Sequence, residues 1–417
     1  LLATPETAEA IAGGGRAAIL VGSYDGSGNY GDIAQLDAAL GLLGSLDSEL
    51  LVLPVVEQQF SATHERMAEE LVHRPEQVIY FDAGGDPGGD GLVPVETPQG
   101  VPLAISYLYG GGFLNPAWGP RKLAMLRAAE NLLSGADRVV RIASGQQVDR
   151  AWIGSLDPAD AELLRRFELF GARDDASART LIELGGSGPA FNSGDDAVGL
   201  LTATGGRAVE QSDARLEVNV HFAEHGWITD SPETARAFDV RLLAELSRLA
   251  HRPVRVRPLL AYLDSRIDER PGLERFAAAC AASGIELTEP RVLRPAGIAE
   301  LIGDLGGAAL TVSSSYHVAL TSLLLAIPAV ILRDNEYYAQ KADGLLADFG
   351  LPREFSPRSA DDPERTAAAI APRLLDPEER ERTRRGLEAA ADQVRQRRIE
   401  TETKLVATMS QDLSHSR

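Results

Sequence analysis

The sequence predicts an α/β fold: two parallel-sheet domains of similar size, followed by helices. Three observations predict it. Short apolar segments alternate with segments of helical period from Ala17 onward, the pattern of strands joined by right-handed helical crossovers. The alternation pauses at the Gly- and Thr-containing stretch Thr202–Ser212 and then resumes. From Pro363 to about Leu413 the chain turns rich in Glu, Arg and Ala and reads as two helices with solvated charged faces. The expected boundaries are residues 1–205, 213–355 and 356–417. A chain of 417 residues has room for such a division.

The first series opens with the apolar strand Ala17–Val21, which runs into Gly22-Ser23-Tyr24-Asp25-Gly26-Ser27-Gly28-Asn29-Tyr30-Gly31-Asp32. A helix follows with Ile33, Leu36, Ala39, Leu40 and Leu43 on one face. Strands are expected at Leu50–Val56, Val78–Phe81, Leu103–Tyr109 and Arg138–Ala143, and helices near Ala62–Val72 and Arg121–Leu133. Ala83–Gly100, rich in Gly, Pro and Asp, reads as a long irregular loop, either a flap over a site or simply mobile. Asp157 is placed to cap a helix over Pro158–Arg166. A second helix, capped by Asp175 or Ser177, ends at Leu184-Gly185-Gly186.

The second series predicts strands at Leu216–Phe222, Val254–Leu259, Ile285–Leu287, Ala309–Val312 and Ala329–Leu332. Its helices are expected near Pro232–Ala250, Leu273–Ala282, Ala296–Leu305, Tyr316–Ala326 and Tyr337–Phe349. Val318–Ala326 is apolar nearly all round, which suits a fully buried helix, and Pro328 is read as its stop.

Composition excludes several classes. A formal net charge of −20 is the wrong sign for a nucleic-acid partner, which needs a basic footprint. The single cysteine, Cys280, forms neither an internal disulfide nor a cysteine-based zinc site. No stretch reaches the roughly 18 apolar residues of a membrane-spanning helix. The N-terminal LLATPETAEAIAGGG lacks a basic region followed by an apolar core, so no signal peptide is read there. A reducing, cytoplasmic setting is expected.

Several segments carry chemistry. Gly28-Asn29-Tyr30-Gly31-Asp32 lies between a strand and a helix, where glycines allow close backbone approach and a helix N-terminus offers an anion site. It is neither a dinucleotide fingerprint nor a P-loop, and a structural turn explains it as well. Gly110-Gly111-Gly112 follows a strand in the same way and can face a ligand or a neighbouring helix. Arg173, in Ala172-Arg173-Asp174-Asp175-Ala176-Ser177, can offer a planar fork to phosphate or carboxylate, or pair with Asp174 or Asp175. His221 ends a strand, with His225 four residues on; the spacing fits no known zinc motif, and no metal is expected. His317 lies in the first turn of the buried helix, just past a strand's carboxyl end and the cap-type residues Ser313, Ser314 and Ser315. It is either a satisfied core histidine or a catalytic one. Lys341 follows the last strand, within reach of an anion or on the surface.

These pieces occur together and in order: GNYGD, GGGFLN, ARDDAS and SSSYHVALTSLLLAIP with a downstream lysine. In that arrangement residues 17–350 resemble the polysaccharide pyruvyl transferase family. The resemblance implies two Rossmann-like domains facing a cleft, a glycosyltransferase-B-like architecture. It implies phosphoenolpyruvate as donor substrate, a glycan acceptor, a pyruvate ketal as product and no cofactor. Position by position, His317 matches the family's histidine and Arg173 the arginine of its RD element, and both are expected to be catalytic. Asn29, Gly31 and Asp32 match the GNxGD element, Gly111 and Gly112 the glycine element, and Lys341 a lysine after the last strand. Ser315 stands where the family pattern has arginine, and Tyr316 replaces a leucine; Arg333, Lys341 or Arg257 are candidate replacements for the lost guanidinium. Ser315 and His221 complete the expected substrate-binding set. Two rivals stay open: a nucleotide-sugar glycosyltransferase on the same fold, and a non-catalytic relative that binds carbohydrate or a protein. The acceptor sugar and the oligomeric state, a homo-oligomer included, are not legible.

Overall fold

The computed structural model describes residues 1–24, 28–47, 49–57, 71–81, 92–97, 101–202, 214–222, 229, 231–262, 268–294, 302–303 and 305–413. Most of the expected helix at 62–72, most of the loop at 83–100, the crossing after Thr202, His225 and most of the helix at 296–305 lie outside these residues. The chain divides into two compact units. The first comprises Leu1–Gly26, Asp32–Leu200 and Arg395–Arg417; the second comprises Ser27–Gly31 and Leu201–Val394.

The first unit is built on a nine-stranded sheet among the described residues. Its elements are β1 (Leu2–Ala3), α1 (Pro5–Ala12), β2 (Ala17–Val21), α2 (Tyr30–Gly44), β3 (Leu51–Glu57), β4 (Ile79–Phe81), β5 (Val93–Pro94) and β6 (Ala104–Leu108). They continue through α3 (Gly119–Leu132), β7 (Val139–Gln146), α4 (Arg150–Gly154), α5 (Pro158–Arg165), β8 (Leu169–Ala172), α6 (Asp175–Leu184), β9 (Ala190–Asn192) and α7 (Ala197–Thr202). The strand order is β5-β1-β4-β3-β2-β6-β7-β8-β9. All neighbours are parallel except β1, which runs antiparallel to β4 and β5. Alternate residues of β2 enter different cores: Ile19 and Val21 join α3, while Ala18 and Leu20 join the face that α2 covers. A strand buried on both sides reads as a continuous apolar run for this reason.

Among the described residues the second unit holds a six-stranded sheet, ordered β12-β11-β10-β14-β15, with β13 also on β11. Its elements are β10 (Leu216–His221), α8 (Pro232–Ala250), β11 (Val254–Leu260), α9 (Arg270–Ala282), β12 (Glu286–Leu287) and β13 (Arg291–Val292). They continue through β14 (Leu310–Ser313), α10 (Tyr316–Leu324), β15 (Ala329–Ile331), α11 (Glu336–Phe349), α12 (Pro363–Leu375) and α13 (Pro377–Leu413). Every pairing is parallel. All nine residues of α10 are buried, as its apolar run requires. The helix does not wait for Pro328 to stop it. Ala326 takes a left-handed conformation, φ 59°, and the Ile327 N–H closes back on Ser322 O at 2.9 Å. α6 is capped by Asp174 rather than Asp175 or Ser177; its carboxylate accepts the Ser177 N–H at 2.7 Å.

Residues 356–417, expected as a tail, are shared out. α13 belongs to the second unit up to Val394 and to the first from Arg395. Its buried side chains are Leu387, Ala391, Val394, Arg398, Thr401, Leu405 and Met409, one stripe at helical spacing. Leu405 and Met409 enter the α2-side core of the first unit. Among the described residues no helix is long and apolar enough to cross a membrane.

Candidate functional site

In each unit the chain leaves one central strand, builds outward on one side, then returns to the other side. The reversal falls between β2 and β6 in the first sheet and between β10 and β14 in the second. Loops leaving neighbouring strands there part in opposite directions, and ligands of open α/β sheets bind in that crevice. The residues singled out by sequence, Lys341 apart, are described below around these two places.

At the β10/β14 reversal, His221 and the serine turn face each other. His221 Nδ1 lies 3.3 Å from Ser314 Oγ, and the Ser314 N–H donates to His221 O at 3.2 Å. The other ring nitrogen, Nε2, lies 3.0 Å from Glu269 Oε1. Glu269 Oε2 accepts the backbone N–H groups of Ala261 (2.7 Å) and Tyr262 (3.0 Å). His221 and Glu269 are both buried. His221 is thus engaged in a carboxylate pair, and Glu269 is a member of the cluster that sequence reading missed. Nothing local marks a glutamate in Asp268-Glu269-Arg270-Pro271 as the partner of a histidine 48 residues away.

The Gly-Asn-Tyr-Gly loop docks on the same cluster. The Tyr30 N–H donates to Ala261 O at 2.9 Å, and Asn29 Nδ2 donates to Tyr262 Oη at 2.7 Å. Tyr30 Oη lies 3.1 Å from Thr321 Oγ1, which donates to His317 O at 2.8 Å. Burial pushes the Tyr30 phenol up to about 12, against a smaller opposing pull from the Thr321 hydrogen bond. Asn29 Oδ1 accepts the Gly31 N–H at 3.0 Å and holds the turn. Gly31 sits directly on the His317 imidazole: a Cβ there would fall 1.7 Å from Nδ1. His317 is 9% exposed, in the first turn of α10, edge-on to the Tyr316 ring. Ser315 occupies the N-cap position without a side-chain cap bond; Ser313 Oγ accepts the Ser315 N–H instead, at 2.9 Å. Asn29, Gly31, His221, Ser315 and His317 therefore belong to one unit, closed by hydrogen bonds from loop to helix.

Lys341 also belongs to this unit, on α11. Its ammonium lies 4.1 Å from the Tyr337 ring centroid and 5.2 Å from that of Tyr338, a cation–π placement. Arg333, proposed as a substitute for the missing arginine, donates to Ser356 O at 2.7 Å. Arg257 donates to Asn219 Oδ1 at 3.4 Å.

The β2/β6 reversal gathers the residues of the first unit. Gly110 and Gly111 have φ of 46° and 103°, so this turn requires glycine. The Gly110 N–H donates to Asp196 Oδ2 at 2.6 Å, and Gln146 Nε2 donates to Gly110 O at 3.0 Å. Ser144 Oγ donates to Asp196 at 2.7 Å, and the buried Arg398 of α13 pairs with the same carboxylate. Burial raises the Asp196 carboxyl pKa more than Arg398 lowers it. Arg173 follows β8, is 3% exposed, and places Nε 2.8 Å from Asp195 Oδ2. Its carboxylate partner is Asp195, not Asp174 or Asp175. Gln35 Nε2 donates to both Asp195 oxygens, at 3.0 and 3.1 Å, and its Oε1 accepts from Ser23 Oγ at 2.7 Å. Asp32 opens α2 in the first unit. Arg173, Asp32, Gly111 and Gly112 thus belong to one unit, His317 and its partners to the other. Among the described residues no group of three or more His, Cys, Asp or Glu is arranged to hold a metal ion.

Similar solved structures share this two-domain fold. The UDP-GlcNAc 2-epimerase of Neisseria meningitidis, bound to UDP-GlcNAc, is 9% identical, with 94% of this chain and 100% of that chain covered and a TM-score of 0.52. The α,α-trehalose 6-phosphate synthase of Burkholderia multivorans is 12% identical, with 97% and 100% covered and a TM-score of 0.51. A UDP-glucose:anthocyanidin 3-O-glucosyltransferase in complex with UDP is 11% identical, with 95% and 99% covered and a TM-score of 0.51. At such identities the likeness is one of fold, and the fold is glycosyltransferase-B-like. No curated protein matches the sequence. The family model of polysaccharide pyruvyl transferase matches residues 29–336, running from Asn29 of the glycine loop past His317 to the start of α11. The chain belongs to the polysaccharide pyruvyl transferase family and is a transferase.

Proposed function

We propose that this enzyme moves the pyruvyl group of phosphoenolpyruvate onto two hydroxyls of a sugar, forming a cyclic ketal and releasing phosphate. The observation that carries the proposal is the seating of Gly31 on the His317 ring. Two family motifs, nearly 300 residues apart in sequence, are in van der Waals contact at a topological switch point.

The chemistry asks for one acid/base and fixed cations. His317, as imidazolium, gives a proton to the methylene carbon of the donor, and positive character develops at the carbon bearing phosphate and carboxylate. A sugar hydroxyl adds there and loses its proton to the neutral imidazole. Phosphate leaves with the carbon–oxygen bonding pair, and the second hydroxyl closes the ring and gives its proton to the released phosphate. Asn29 and Gly31 orient a substrate group beside the imidazole. Lys341 is assigned to the anionic groups of the donor; for Arg173 the family resemblance alone implies a catalytic role.

The test is incubation with phosphoenolpyruvate and candidate glycans, reading phosphate release and glycan mass. Turnover is expected for the native protein and a loss of about 10²–10⁴-fold for His317→Ala, the usual worth of a general acid/base. Near-native turnover in that variant, with the fold intact, would remove the assignment. Ser315, which lacks the family's guanidinium, favours one rival: a nucleotide-sugar glycosyltransferase. Thermal stabilisation by UDP and not by phosphoenolpyruvate would decide for that rival.

A further inference from the structure

We propose that the side-chain amide of Gln147 binds hydroxyl groups of the sugar acceptor. The class of ligand rests on the pyruvyl-transfer reading; the ligand-binding role rests on the amide itself.

Gln147 follows directly on β7, and its backbone is pinned. Its N–H donates to Gly111 O at 3.0 Å, the next N–H (Val148) donates to Ser177 Oγ at 3.1 Å, and that of Asp149 donates to Leu114 O at 2.9 Å. The residue therefore stands beside the Gly110–Gly112 turn, at the carboxyl end of β7, the neighbour of switch-point strand β6. The residue is 3% exposed, yet both Oε1 and Nε2 lack a hydrogen-bond partner. Exchanging the two atoms by an amide flip leaves the finding unchanged. The neighbouring glutamine shows the contrast. Gln146 Nε2 donates to Leu108 O, Gly110 O and Ser144 O at 3.2, 3.0 and 2.8 Å, so it serves the turn itself.

A buried amide with both ends unsatisfied costs folding free energy that an apolar side chain of the same size would not. Such a group on a rigid frame at a ligand-binding edge is suited to a ligand that supplies the hydrogen bonds the protein does not. An amide presents an acceptor and a donor side by side. A phosphate or carboxylate satisfies the donor and repels the carbonyl oxygen. Hydroxyls satisfy both, because each donates and accepts. The chemistry therefore selects the neutral polyol, the acceptor sugar, over the anionic donor.

The experiment compares native protein with Gln147→Met and Gln147→Leu. Thermal midpoints are measured together with KM for phosphoenolpyruvate and for the glycan acceptor. Binding of methyl α-D-glucopyranoside, methyl α-D-mannopyranoside and methyl β-D-galactopyranoside is read separately by ligand-observed NMR without donor. The expected result is an unchanged or raised midpoint, an acceptor KM at least tenfold higher, a donor KM within twofold, and loss of glycoside binding. A lowered midpoint in both variants with unchanged acceptor KM would overturn the proposal, since the amide would then be satisfied within the protein. A shift confined to the donor KM would overturn the choice of ligand, and so would failure of the native protein to bind any of the three glycosides. If no phosphate is released under any condition but glycoside binding is lost in the variants, the pyruvyl reading falls and the role of Gln147 stands.

Discussion

Gly31 lies so close to His317 that a methyl group on it would fall 1.7 Å from the ring Nδ1 and 2.3 Å from Cγ. No real side chain occupies such a position, so either the imidazole or the Asn29–Gly31 turn must move. The turn is held by the Asn29 carboxamide, the Tyr262 hydroxyl and Ala261 O, and the helix by Tyr30 through Thr321. Gly31→Ala is therefore expected to displace His317 and lower turnover at least tenfold. Overpacking of this kind typically costs about 1–3 kcal/mol of stability. Phosphate-release kinetics beside a denaturant titration check both halves; unchanged turnover would show that the ring position is not critical.

Arg173 has a structural duty as well as the proposed catalytic one. Its pair with Asp195 is almost fully buried, side chains 3% and 1% exposed. Arg173→Ala leaves that carboxylate uncompensated and is expected to cost about 3–5 kcal/mol. Lost activity in the alanine variant is therefore not by itself evidence of donor contact. Arg173→Lys keeps the charge but replaces a planar fork with a point charge. It is expected to retain most of the stability while kcat/KM for phosphoenolpyruvate stays at least tenfold down. Full activity in the lysine variant would leave Arg173 only its structural role.

The parts of the fold that were legible in the sequence are those set by local periodicity. β2, β14 and α10 are short, largely apolar runs, and α8 repeats apolar residues at helical spacing after Ser231-Pro232; such patterns report their own burial. His317 was legible because it follows a strand and opens a buried helix. What escaped are residues whose meaning comes from distant partners. Glu269 reads as one charge in a charged loop until the fold sets it against His221. Asp195 and Asp196, in Ser193-Gly194-Asp195-Asp196, look like loop acids, yet one holds Arg173 and the other holds the Gly110 turn. The two-residue strands β1 and β5 are too short to carry a period. In α13 the abundance of Glu and Arg hid a stripe of seven buried positions, one of them an arginine.

That arginine, Arg398, makes the C-terminal helix part of the first unit's site. Burial opposes its charge, but Asp196, Tyr107 and Glu402 more than restore it, so its pKa is raised overall. Arg398→Met leaves Asp196 buried and unpaired and is expected to cost about 3–5 kcal/mol. Asp196→Asn removes the repulsion between Asp196 and Asp195 but weakens the acceptor of the Gly110 N–H and of Ser144. The double variant Arg398→Met/Asp196→Asn should be less destabilised than the sum of the two, with a coupling of about 1–3 kcal/mol in a double-mutant cycle. Additive effects would mean that the two side chains do not work as a pair.

Asp239 gives the clearest pH signature. It lies in α8, 1% exposed, with Oδ1 unpartnered. Burial first, and repulsion from Asp334 second, raise its carboxyl pKa well above the ordinary value of 3.8. The sign follows from proton binding. Between the unfolded and folded pKa values the folded state holds the proton and the unfolded state does not, so stability falls as pH rises across that window. Below about pH 4 both states are protonated and the group is silent. Asp239→Asn, which mimics the neutral carboxyl, is therefore expected to raise the thermal midpoint at pH 7. The gain should shrink as pH is lowered toward 4. Midpoints measured from pH 4 to 8 for both proteins test this; parallel profiles would mean that Asp239 ionises in the folded state as readily as in the unfolded one.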